Sequence, residues 1–337
     1  MRVYKLAIAA CLAGAMLGLS GAARSAEPMK LRIGYVIPGA DAPLLMFGQP
    51  GIAKHEGKTY TLDATHFQGT SPMITALAAG ELDLTTFAYS SFALAVENAQ
   101  MQDLRIISDI FQDGVEGYWT NEDYVLNDSE IKTVEDLKGK VLAVNVVGSA
   151  VDIALRAMLV KHHLDPKKDV TIVEVPLPGM RAELQEKKVQ LIAPAPPFSY
   201  DPALRAIAHA LFTQKEAIGR SQMIILVGRS AFLQKNRAVV TDYLEDELRA
   251  LHWYTDPANH DAAVKLVADF SKQPVERFSG WLLSHGDFYH DPNGMPDLAA
   301  LQAAISLQHQ LGFLKNDLDV EKYADLDLVK DAAARIK

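Results

Sequence analysis

Gln68-Gly69-Thr70-Ser71-Pro72-Met73-Ile74-Thr75-Ala76-Leu77-Ala78-Ala79-Gly80-Glu81-Leu82-Asp83-Leu84 is the stretch on which the fold turns. A strand candidate, Tyr60 to Phe67, runs into it. Ser71 suits a helix N-cap, and Pro72 suits the first helical position because the amide hydrogen it lacks has no partner there anyway. A helix over Pro72–Ala79 then leads to a short apolar strand over Leu82–Phe87. Two further junctions share this design. Phe87 is followed by Ala88-Tyr89-Ser90-Ser91, entering a helix expected over Ser91–Ala99, and Val147 by Gly148-Ser149, with Ser149 opening a long helix over Ala150–His163. In each case the carboxyl end of a strand delivers small or hydroxyl residues to a helix N-terminus, where unpaired N–H groups and the positive end of the macrodipole face outward. Such ends hold anions without a lysine or arginine. One such hydroxyl alone reads as a cap, but three at equivalent positions point to a ligand crevice beyond the strand ends.

Further strands are expected at Leu31–Ile37, Leu104–Ile110, Val141–Val147, Val170–Val175 and Gln190–Ala193, with another helix at Arg181–Lys188. Beyond about Ala231 the pattern is almost wholly helical. Short strands separated by amphipathic helices predict an α/β protein with parallel, doubly wound sheets, and 337 residues leave room for two such units. The 49% apolar and 22% charged composition and the mean hydropathy of +0.02 belong to a globular chain and exclude a disordered one. Acidic residues outnumber basic ones by 42 to 33, interspersed rather than in blocks, so no concentrated basic face exists for a nucleic acid.

Residues 1–26 differ from the rest. Arg2 and Lys5 precede an apolar run over Leu6–Leu19, and Ser20-Gly21-Ala22-Ala23 offers small residues to a signal peptidase. This reads as a secretory signal peptide cleaved after Ala23 or Ala26. Three basic residues and no acidic one fall within it, so from Glu27 onward 30 basic residues face 42 acidic ones, a net charge of −12. The only cysteine, Cys11, also lies there, which leaves the exported chain without disulfide or thiol chemistry. The product is expected to be soluble and periplasmic.

The helix and strand over Ser71–Leu84 resemble periplasmic substrate-binding proteins of the nitrate, taurine and alkanesulfonate uptake type. Asp128-Ser129-Glu130-Ile131-Lys132-Thr133-Val134-Glu135-Asp136-Leu137-Lys138-Gly139-Lys140-Val141 resembles that family's entry into its second lobe, and Gly148-Ser149 with Leu155 and Leu159, and Leu311-Gly312-Phe313-Leu314, extend the likeness. The resemblance implies two lobes, each a mostly parallel doubly wound sheet with flanking helices. Lobe I would comprise 27–116 and 224–337, lobe II 117–223, with hinge crossings near Gly117–Thr120 and Ser221–Met223. It also implies capture of a small anion (sulfonate, nitrate or aromatic carboxylate) and delivery to an ABC permease, by a monomer with no enzymatic activity, cofactor or metal. The family's ligand contacts map by position onto Gly39, Asp41, Thr70, Ser71, Tyr89, Ser90, Gly148 and Ser149. Pro194-Ala195-Pro196-Pro197-Phe198 stands where relatives usually carry an acidic residue before a proline, and Phe47–Tyr60 lacks the helix they commonly place there. Tyr89, Tyr118, Trp119, Phe198 and Tyr200 fall near cleft or hinge positions and suit a flat organic acid. A membrane sensor as partner, or a neutral heterocycle such as a thiamine-precursor pyrimidine as ligand, are the alternatives.

Other clusters carry less. His285-Gly286-Asp287-Phe288-Tyr289-His290-Asp291 groups two histidines and two aspartates, but its proximity to Pro292-Asn293-Gly294-Met295-Pro296 predicts a solvated loop. Arg181 and Arg220 are read as surface residues, although either could reach an anion. No phosphate-binding glycine loop, dinucleotide fingerprint, Gly-x-Ser-x-Gly elbow or His-Glu-x-x-His pair is present. The eukaryotic thiamine-pyrimidine synthases are similar in architecture but carry a cysteine-rich motif, which this chain lacks.

Overall fold

The computed structural model describes residues 27–36, 41, 44 and 46–336. The expected signal peptide, Cys11 and Gly39 lie outside them. The first lobe begins with β1 (Met29–Tyr35), β2 (Tyr60–His66), α1 (Pro72–Ala78), β3 (Leu84–Ala88), α2 (Tyr89–Glu97) and β4 (Leu104–Asp113). The chain then builds β5 (Glu122–Leu126), β6 (Val141–Val144), α3 (Ala150–Lys161), β7 (Thr171–Glu174), α4 (Met180–Gln185), β8 (Leu191–Ile192), α5 (Pro202–Ile207), β9 (Ala208–Thr213) and α6 (Gln214–Ile218). It returns through β10 (Ser221–Arg229) and closes with α7 (Ser230–Lys235), α8 (Arg237–Thr255), α9 (His260–Ser271), α10 (Leu298–Gln310) and α11 (Asp327–Arg335).

The strands form two five-stranded sheets, in the orders β2-β1-β3-β10-β4 and β7-β6-β8-β5-β9. In the first, β1 runs parallel to β2 and β3 while β10 runs antiparallel to β3 and β4. In the second, β6 is parallel to β7 and β8 while β5 is antiparallel to β8 and β9. The two passages between sheets lie side by side, because Asp113 at the end of β4 pairs with Ser221 at the start of β10, and Glu122 at the start of β5 with Thr213 at the end of β9.

Helices on both faces of each sheet explain the apolar strands. In the second sheet the strand period of two divides the core cleanly. Val125, Leu142 and Val144 pack with Leu155 and Leu159 of α3, while Tyr124, Leu126 and Ala143 pack with Met180 and Leu184 of α4. In the first sheet, Gly34 permits α1 to approach: a Cβ there would lie 2.6 Å from Met73 Sδ and 2.8 Å from Leu82 Cδ1.

Strands β5, β9 and β10 were not among the expected elements, and two of the three insert antiparallel into sheets expected to be parallel. Ser221-Gln222-Met223-Ile224-Ile225-Leu226-Val227-Gly228-Arg229 is buried along nearly its whole length, so no alternation marks it or gives its direction.

Between β1 and β2 the described residues include a short 3-10 turn at Met46–Gly48, with Leu44 helical just before it. Fully buried Asp246, on α8, anchors the approach to β2, accepting from the amides of Lys54 and His55 at 2.8 Å each and from Tyr60 Oη at 2.9 Å. Arg249 Nη1 donates to the same carboxylate at 2.7 Å. Asp246→Ala strands two amides, a hydroxyl and a guanidinium together, and is expected to lower unfolding free energy by about 3–5 kcal/mol in denaturant titration. A loss below about 1 kcal/mol would show that water replaces the carboxylate.

Candidate ligand-binding cleft

A cavity of about 630 Å³, including the open space at its mouth, lies between the lobes. The first lobe contributes Asp41, Thr70 and Phe111, the second Asn145, Ser149 and Leu177, and the passage between them Trp119 and Asn121. Most of the wall is apolar, with Val36, Ala88, Ala150, Val151, Ala193, Ala195, Met223, Ile224 and Phe288 beside Gly69 and Thr86. No lysine, arginine or histidine lines it among the described residues, and Asp41 is its one ionisable side chain.

The polar groups fall into two kinds. Thr70 and Ser149 are already engaged: Thr70 Oγ1 lies 2.7 Å from Ser91 Oγ, and Ser149 Oγ donates to Asn145 Oδ1 at 3.0 Å while accepting from the Asp152 amide at 3.4 Å. By contrast Trp119 Nε1 and both amide atoms of Asn121 are buried without a hydrogen-bond partner among the described residues. Their positions are fixed from behind. The Asn121 amide nitrogen of the main chain donates to Asp113 Oδ2 at 2.9 Å, Thr120 Oγ1 donates to Asp113 Oδ1 at 2.7 Å, and the Trp119 main-chain N–H donates to the Asp287 carbonyl at 3.0 Å. The Trp119 ring meets Phe288 edge-on, with centroids 4.8 Å apart. Sequence reasoning found Trp119 but missed Asn121 and Asn145, which carry no motif.

Of the expected contacts, Asp41, Thr70, Trp119 and Ser149 line the cavity. Ser149 caps α3 as expected, but Ser71 does not cap α1: it is already helical at φ −62°, ψ −41°, with Oγ 3.3 Å from Ser91 Oγ. Helix α2 starts two residues earlier than expected, with Ala88 at its cap, which places Ser90 and Ser91 inside the first turn. Tyr89 is fully buried and donates to the Ala150 carbonyl across the lobes at 3.1 Å. Gly148 takes φ +79° and donates its N–H to Asp152 Oδ2 at 2.8 Å. Tyr118, 43% exposed, packs on Tyr289 outside the cleft. Pro197 and Phe198 line a neighbouring trough, and Ala193 and Ala195 of that segment reach the cavity.

The lobes touch elsewhere too. A Cβ on Gly69 would stand 2.7 Å from Val146 Cγ2, and Tyr200 Oη donates to the Gly286 carbonyl at 2.7 Å while its ring stacks on Trp281 with centroids 5.2 Å apart. Arg181 pairs with Asp201 and Arg220 with Asp297, both away from the cavity. The run His285–Asp291 is not a solvated loop throughout: Asp287 and His290 are buried. Asp287 accepts from Tyr254 Oη and the amides of Leu283 and Phe288, and His290 Nδ1 from its ring meets the Ile110 carbonyl, so packing against α8 and β4 uses these groups separately. His55, Asp242 and Glu245 do bring ligand-type atoms within 4.8 Å of one another, but Arg335 sits 3.0 Å from Asp242 and 3.6 Å from Glu245, as an ion-pair network requires.

Burial pushes several carboxyls up: Asp109 and Asp113 to about 7, Glu247 to about 8 and Asp287 to about 6, with Asp123 also raised by burial and then by Asp113. Burial pushes His290 down to about 4. Between the ordinary carboxylate range and pH 8 the folded carboxyls hold protons that the unfolded chain has released, so their contribution to stability is lost as pH rises through 6 to 8. His290 opposes this only below its ordinary value near 6.5. The unfolding midpoint is therefore expected to be higher at pH 6.5 than at pH 8.5 by calorimetry, and a flat or rising profile would contradict it.

Two sheets joined by two adjacent passages, with a cleft between them at the strand ends, define a two-lobed periplasmic binding protein fold. The chain belongs to the NMT1-like family, whose sequence profile matches residues 24–268. It is 24% identical over 222 residues to the nitrate/nitrite binding protein NrtA of Synechococcus elongatus, an alignment covering 64% of this chain and 48% of that one. The chain thus matches about half the length of that curated relative. It superposes on the alkanesulfonate-binding protein SsuA of Xanthomonas axonopodis pv. citri bound to MOPS with a TM-score of 0.71, at 21% identity, covering 89% of this chain and 99% of that one. For the periplasmic nitrate-binding protein NrtA of Synechocystis PCC 6803 the TM-score is 0.74 at 14% identity, covering 92% and 90%. The fold also serves an enzyme, the desulfurization enzyme DSZB, with a TM-score of 0.66 at 14% identity, covering 92% and 100%. No helix among the described residues is long and apolar enough to cross a membrane.

Proposed function

We propose that the chain is the exported, periplasmic solute-binding component of an ABC importer. It captures a small organic anion of the sulfonate or carboxylate class between lobe I (27–116 and 224–337) and lobe II (117–223), and presents it to a permease as a monomer. The observation that carries this reading is the pairing of donors at Trp119 and Asn121, buried without a partner among the described residues, with a mostly apolar cavity. A buried donor left unpaired costs about 1–3 kcal/mol, and a ligand oxygen removes that cost. The N-terminus of α3, capped by Ser149, adds partial positive charge at the same wall. Apolar walls favour an organic anion over nitrate, whose whole surface is polar. Hinge closure about the two passages brings both lobes onto the ligand.

Asp41 at the cavity wall favours a second reading, a neutral heterocycle whose ring N–H faces that carboxylate. A thermal-shift panel on refolded residues 27–337 separates the two, using sulfonates, nitrate, aromatic carboxylates and thiamine-precursor pyrimidines. Ligand at 100 times its dissociation constant raises the midpoint by about 4 °C. A rise with acids alone supports the first reading, and a rise with pyrimidines alone replaces it.

Asn121→Leu tests the site itself. Ligand affinity is expected to fall about tenfold or more, while the ligand-free midpoint stays level or rises because the amide had no partner to lose. A large fall in ligand-free stability with unchanged affinity would make Asn121 a structural residue. Gly69→Ala tests closure: its Cβ would wedge against Val146, so affinity should fall while the ligand-free midpoint barely moves.

A further inference from the structure

Just outside the cleft lies a second, larger hollow of about 900 Å³, and Val36 and Leu177 border both. Its walls come from both lobes and are largely aromatic, with Tyr35, Phe270 and Phe278 from one and Phe198 and Pro197 from the other, while His66, Gln68 and Gln273 add polar groups. Phe270 is 47% exposed, its ring 5.9 Å from that of Tyr35, so aromatic surface stays in contact with water where burial would be favourable. No aspartate, glutamate, lysine or arginine lines the trough among the described residues.

We propose that the ligand of the cleft is an anion with an aryl tail: its acidic head sits with Trp119 and Asn121, and its ring system passes between Val36 and Leu177 to lie against Phe198 and Phe270. This rests on the anion reading above. That Val36 and Leu177 border both hollows makes the tail of the same molecule the occupant. The division of the walls between lobes adds a functional reason, since the trough is complete only when the lobes are together and a tail lying in it rewards closure. Aromatic walls select a ring system.

Calorimetric titration of the exported chain with ethanesulfonate and biphenyl-4-sulfonate tests this, with wild type, Phe198→Ala and Phe270→Ser compared. Biphenyl-4-sulfonate is expected to bind at least about tenfold more tightly, given about fourfold per buried methylene equivalent. Each variant should weaken biphenyl-4-sulfonate about fivefold or more and leave ethanesulfonate unchanged. Phe270 is on the surface, so its serine variant folds even if Phe198→Ala does not. Equal binding of the two sulfonates, or variants that weaken both alike, would overturn the tail site and leave the anion reading standing. Binding of neither sulfonate by folded wild type would overturn both.

Discussion

The Asp113 carboxylate is the interaction on which the arrangement depends. It sits fully buried at the end of β4, where the chain leaves the first sheet, and holds Thr120 and Asn121 by their hydroxyl and main-chain N–H. The returning passage is tied to the same place: the Lys215 amide donates to Thr120 Oγ1 at 3.1 Å, and Gln214 N–H to the Asn121 carbonyl at 2.7 Å. One carboxylate thus fixes the direction of both passages and the rotation of Asn121 into the cleft. Its raised pKa, about 7, measures the cost of placing it there.

That cost is of a piece with the cleft in front of it. Apart from Tyr89, Gly69, Tyr200 and the start of α3, whose Ala150 and Ile153 join the first lobe's core, the two sheets keep their own cores. Small interfaces between large cores are what allow two bodies to part without unfolding either. The donors of Trp119 and Asn121, which have no hydrogen-bond partner among the described residues, lie where the two bodies meet, within reach of a ligand.

Much of this was legible in the residues. Strand, loop and helix order over Tyr60–Leu84 follows from local chemistry: Pro72 fixes a helix start and the apolar runs are short. Ser149 was legible as a cap for the same reason. What failed was whatever depended on long-range partners. Ser71 looks like a cap, but its hydroxyl is drawn to Ser91 by the approach of α2. The direction of β10 is set by β3 and β4, which lie far earlier in the chain. Asn121 and Asp246 are single polar residues with no spacing to mark them, and their roles arise from burial. Asp287 and His290 looked solvated because charged residues beside a proline-rich turn usually are, yet the aromatic packing of Phe288 on Phe111 carries them inward.

On the proposed reading the cleft holds an anion with an amide, an indole N–H and a helix end, and with no cation among its described residues, which bears on release. An ion pair formed in a low-dielectric cavity must be broken against a large Coulomb term when the cavity opens. Neutral dipoles give directional hydrogen bonds, and water offers similar ones as soon as the lobes separate. The helix macrodipole contributes only about half a unit charge, and solvent screens it at the opened end. Selectivity in such a site comes from shape and from the penalty of leaving Trp119 and Asn121 unpaired. On that reading the free energy that holds the ligand would be concentrated in closure itself, and a partner that pries the lobes apart would have little else to overcome.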